Sequence, residues 1–92
     1  MLHRQLRNAL EEIFGTQYVN HALSQAELAQ GVIYERPDAF KRAVLDFQRL
    51  NYRDEQQQYA ARLEPELGIA LICSLLDHPT RELVAELGLN YL

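Results

Sequence analysis

Only one cysteine, Cys73, stands in the 92 residues, so no disulfide can close within the chain. The opening residues, Met1-Leu2-His3-Arg4-Gln5-Leu6-Arg7, lack the apolar run of a secretory signal. Both features point to a reducing, cytoplasmic setting. Glycine and proline are scarce, at four and three residues. No linker or low-complexity tract interrupts the chain, and residues 1–92 read as a single domain. A basic excess is missing too. The net charge is −4, which argues against broad binding to nucleic acid or anionic lipid. Nor is there a membrane-length apolar run. The most apolar stretch, Leu67 to Leu76, has ten residues where a span takes about 20.

With 48% apolar and 24% charged residues, the chain has the composition of a folded globule. The run from Leu67 to Leu76 is bracketed by Glu64, Glu66 and Asp77 and must be buried. Around it the pattern is helical almost throughout. Leu2, Leu6, Ala9, Leu10, Ile13 and Phe14 form the stripe of a first helix that stops at Gly15. Thr16 to Leu23 reads as a connector. Ser24-Gln25-Ala26-Glu27 has the form of a capping box, with Leu23 and Leu28 placed for a hydrophobic staple. It opens a short second helix ending at Gly31. Val32-Ile33-Tyr34 suits a brief extended segment.

Pro37 opens a third helix, 37–50, with Phe40, Ala43, Val44, Phe47 and Leu50 inward. Asp54 is placed to cap a polar fourth helix, with Gln57 at N3 and only Tyr59, Ala60 and Leu63 to bury. This should be the least stable helix. Pro65 starts the apolar fifth, at about 66–76. His78-Pro79-Thr80 breaks the chain, and a sixth helix runs from about Thr80 to Leu87, stopped by Gly88. The expected fold is an all-α bundle of five or six short helices around the 66–76 helix, with the first, third and sixth packed on it and Cys73 in the core.

Candidate chemistry is sparse. His3, His21, His78 and Cys73 show none of the spacings by which zinc is held. Cys73 lies in the least polar segment, where a thiolate is disfavoured. Ser74 lacks the Gly-x-Ser-x-Gly context, and no glycine-rich phosphate loop is present. The paired acids Glu11-Glu12, Asp54-Glu55 and Glu64/Glu66 fall at helix ends or on polar faces, where such charge is ordinary. The reading is a non-enzymatic chain with no metal or cofactor.

The charge is unevenly spread: +2 over residues 1–7, −4 over 8–35, +3 over 36–53 and −5 over 54–92. Eight of the nine basic residues are Arg, and the chain has five Tyr, residue types enriched at binding hot spots. Tyr18, Tyr34, Tyr52 and Tyr91 fall in connectors or at the terminus. The third helix carries acids among its basic residues, so Asp38–Arg42 and Arg42–Asp46 are spaced to pair. Arg36, Lys41, Arg49 and Arg53 supply further positive charge. The expected function is therefore a protein–protein interaction module, an adaptor, inhibitor or regulatory subunit. Its partner-binding residues would be Arg42, Arg49, Arg53, Tyr34, Tyr52, Tyr91 and Leu92, with homodimerisation left open. The alternative is a helix-turn-helix-like nucleic-acid regulator using residues 37–50. Against it, the segment Gly31 to Arg36 is longer than the three or four residues of that turn.

Two segments carry a resemblance. Gln25-Ala26-Glu27-Leu28-Ala29-Gln30-Gly31-Val32-Ile33, followed by Gly68-Ile69-Ala70-Leu71 and Leu75-Leu76-Asp77, is similar to bacterial co-chaperone modulators with a MerR-like helical body. The residues between do not follow that family's pattern. The resemblance implies a non-enzymatic regulator that binds another protein.

Overall fold

The computed structural model describes residues 2–89. Among them the chain forms seven helices and no strand: α1 (Leu2–Phe14), α2 (Thr16–Ser24), α3 (Ala26–Glu35), α4 (Pro37–Gln48), α5 (Arg53–Arg62), α6 (Pro65–Leu76) and α7 (His78–Glu86). The all-α architecture and the central apolar helix match the sequence pattern. α6 buries every residue from Leu67 to Cys73, together with Leu76. It packs against α1, α4 and α7, and more extensively against α2 and α3. Each large apolar side chain taken fully from water contributes about 1.5–3 kcal/mol. α6 therefore supplies much of what offsets chain entropy in so short a domain.

The extra helix lies where a connector was expected. Gly15 ends α1 at φ 97° and ψ 143°, a conformation glycine alone adopts readily, and α2 starts at the next residue. α2 forms because Val19 and Ala22 are buried, both at 0% exposure. Its apolar positions are too few to announce a helix by periodicity.

Three local expectations are corrected. Ser24 is not an N-cap. It is the last residue of α2, and its hydroxyl donates to the His21 carbonyl (2.6 Å), so the capping frame moves to Gln25, whose side chain makes no cap bond. Leu28 is consequently left exposed and forms no staple. Gly31 does not stop the helix. α3 runs on to Glu35, because burial of Val32 and Ile33 in the core overrides their β propensity. Asp54 does not cap α5 either. The N-cap is Tyr52, Asp54 sits in the first turn and accepts from the Glu55 N–H, and Gln57 reaches away to α1.

The signals at Pro37 and Pro65 hold, whereas His78-Pro79-Thr80 is not a break: it forms the first turn of α7, and Asp77 alone separates α6 from α7. Pro37 and Pro65 each occupy the first position of their helix. α7 starts two residues before Thr80, because Asp77 caps it, accepting from the Thr80 N–H (3.2 Å) and hydroxyl (2.6 Å). At its far end Gly88 takes φ 70°. The Leu89 N–H donates to the Val84 carbonyl and the Gly88 N–H to that of Ala85, a Schellman motif with Leu89 against the core.

Candidate partner-binding surface

α4 turns Phe40 and Ala43 into the core and leaves its opposite face outside. Arg42 lies on that face, and Arg49, the C-cap residue of α4 with backbone still in the helical region, continues it seven residues on; both are exposed. Half-buried Leu45 falls between them. Among the described residues neither arginine forms an ion pair, and the spaced acids Asp38 and Asp46 do not engage Arg42. Asp46 lies instead toward Tyr59. Burial first, and then the Asp46 charge, push the Tyr59 phenol above its ordinary range. Among the described residues, Tyr34, three residues before α4, and Tyr52, four after it, are the most exposed large apolar side chains, at 65% and 68%.

Arg36 and Arg53, by contrast, are engaged within the domain. Arg36 Nη1 contacts both Glu64 oxygens, at 2.6 and 3.2 Å, and lies 3.7 Å from Glu66. The Glu64 hydrogen bond raises the guanidinium pKa further, and the contact ties the α3–α4 junction to the start of α6. Arg53 belongs to α5. Its Nη1 donates to the Ala9 carbonyl (2.9 Å), and its Nε lies 3.7 Å from Glu12. So Arg42 and Arg49 share the α4 face, while Arg53 is turned to α1. Tyr91 and Leu92 lie outside the described residues.

α3 and α4 are joined by Arg36 alone. A helix-turn-helix uses three or four residues there. The junction departs from that motif by being too short, where the sequence had suggested one too long.

Tyr18 leaves the set of available aromatics. It is half-buried, stacks on Phe14 at a centroid distance of 5.6 Å, and donates to the Pro65 carbonyl (2.9 Å). Burial raises its phenol pKa. Phe14 continues to Phe47 and Phe47 to Tyr59, both at 6.3 Å, giving a line of four rings that sequence spacing did not reveal. Beside it runs a groove of about 300 Å³ lined by Ile13, Phe14, Tyr18, Gln57, Ala60, Ala61, Leu63 and Pro65. Phe14, Phe47 and Tyr59 each stand at positions whose spacing turns them inward, but that they meet, and that Tyr18 joins them from α2, depends on how the helices pack.

Cys73 is fully buried, and its Sγ donates to the Ala22 carbonyl (3.1 Å). Burial, with a smaller contribution from the Asp77 charge, pushes its thiol up to about 11. It is a packing residue. A polar network, half-buried Asp77 and Gln30 on the buried Thr80, in which Gln30 Nε2 donates to Thr80 Oγ1 (3.3 Å), joins α3 to α7 and has no mark in the sequence pattern. Among the described residues no set of three or more His, Cys, Asp or Glu side chains gathers in a metal-holding arrangement, and no helix is long and apolar enough to cross a membrane.

No protein-family model, curated protein or solved structure matches the chain. The likeness at residues 25–33 and 68–77 therefore assigns no family.

Proposed function

We propose that this chain is a non-enzymatic protein-binding module that docks an acidic patch of a partner protein on the outer face of α4. The observation that carries this reading is the exposure of Arg42 and Arg49 on one helix face, without ion pairs among the described residues, inside the segment of charge +3. Tyr34 and Tyr52 beside the ends of α4 supply apolar area at small entropic cost. Arginine gives bidentate hydrogen bonds to carboxylates, and steering by opposite charge raises the association rate.

The test is affinity capture from the native host with the wild-type chain and with Arg42→Glu/Arg49→Glu. A partner protein retained by the first and lost by the second, with helicity by circular dichroism unchanged, supports the face. Equal recovery by both chains sinks it. So does recovery of nucleic acid alone that salt releases.

A further inference from the structure

We propose that α5 is a releasable strap: it unfolds as a unit while the other six helices stay folded, and its release carries Tyr59 off the aromatic line and uncovers the rings of Phe47, Phe14 and Tyr18 that it borders. Four observations carry this. First, α5 buries none of its residues. Second, its extended packing is to α1 alone, whereas α6 packs against five other helices.

Third, apart from the Tyr59–Phe47 ring contact, its specific attachments are side-chain hydrogen bonds to carbonyls. Arg53 donates to the Ala9 carbonyl, Gln57 Nε2 to the Glu12 carbonyl (2.9 Å) and Tyr59 Oη to the Ala43 carbonyl (3.3 Å). The Glu12 carbonyl lies in the last turn of α1, where carbonyls lack helical partners, so water can replace Gln57 when the strap leaves. Fourth, an open groove follows the seam. The groove of about 300 Å³ runs between Ala60, Ala61 and Leu63 on the α5 side and Ile13, Phe14, Tyr18 and Pro65 on the other.

The flanks suit a hinge. Tyr52, Leu63 and Glu64 hold ψ values of 142°, 139° and 132°, so extended backbone stands at each end of the strap. A free helix of ten residues is marginal in water, so once detached α5 loses its helicity. Release takes Tyr59 from Phe47 and opens the groove wall over Phe14 and Tyr18. It also frees the Arg53 guanidinium from α1.

Native-state hydrogen exchange on the full chain tests this. The hydrogen-bonded amides from Gln56 to Leu63 should share one protection factor, at least about 100-fold below that of Ile69 to Leu76, with one common denaturant dependence that is smaller than that of global unfolding but not zero. Gln57→Ala should speed α5 exchange about five-fold and leave α6 exchange unchanged. Protection in α5 equal to that in α6 overturns the proposal. So does a gradient that fades from the helix ends inward, or a Gln57→Ala effect spread equally over both helices.

Discussion

α5 and α6 are neighbours in the chain, separated by Leu63 and Glu64, yet they are held by opposite means. α6 buries eight of its twelve residues, and α5 buries none of its ten. Water exclusion holds the first and makes it the element on which five others assemble. Hydrogen bonds from side chains to the carbonyls of α1 and α4 hold the second. Such bonds contribute a net of about 1 kcal/mol each, since water offers the same groups an alternative. Apolar burial has no such competitor. Two helices of similar length can therefore differ widely in how firmly they are anchored.

The largest effect expected from this contrast is in α6. Ile72 is fully buried, and Ile72→Ala should cost about 3–4 kcal/mol. Gln58→Ala, on the exposed side of α5, should change stability by less than about 0.5 kcal/mol. Urea denaturation of both variants checks the pair, and similar midpoints would break the comparison.

A second expectation concerns alkaline pH. The Cys73 thiol ionises near 9.0 when unfolded and only near 11 in the fold. Its pKa is raised, so its contribution to stability is intact below pH 9 and is lost as pH rises toward 11. There the loss is about 2 kcal/mol. Denaturation midpoints at pH 8, 9 and 10 should fall in the wild type and fall less steeply in Cys73→Ala. Rapid reaction of the native thiol with a disulfide reagent at pH 8 would contradict its burial.

This contrast also governs what could be read from sequence. The α6 run, the Pro37 and Pro65 starts and the Gly15 and Gly88 stops were legible, because apolar runs and special backbone angles leave residue-level marks. α2 was not. It is fixed by just two fully buried residues, Val19 and Ala22, against surfaces from elsewhere in the chain. Ser24 and Gly31 misled for the same reason. Each carries a local signal that tertiary packing overrode, the first by bonding back to His21 and the second by sitting on the exposed side of a helix whose other face is buried. On the candidate surface, the exposed charges of α4 were legible from its period. The diversion of Arg53 and Arg36 into internal bonds was not, because it depends on the spatial neighbours Ala9, Glu12 and Glu64.

The smallest effect probes how α6 admits its neighbour. A Cβ on Gly68 would stand 2.6 Å from Tyr18 Oη, inside any tolerated contact, but 3.4 Å from the ring carbon that bears it. Gly68→Ala therefore displaces the hydroxyl and costs its bond to the Pro65 carbonyl, while the helix gains up to about 1 kcal/mol from alanine's propensity. The two terms nearly cancel, so the single variant alone is a poor probe. Tyr18→Phe removes the colliding atom, and alanine's gain should then appear unopposed. A double-mutant cycle should show a coupling of about 1 kcal/mol, with Gly68→Ala better tolerated in the Tyr18→Phe background than in the wild type. Additive effects would mean that α2 and α6 are not in contact through this pair, and that the close approach at Gly68 does not set their packing.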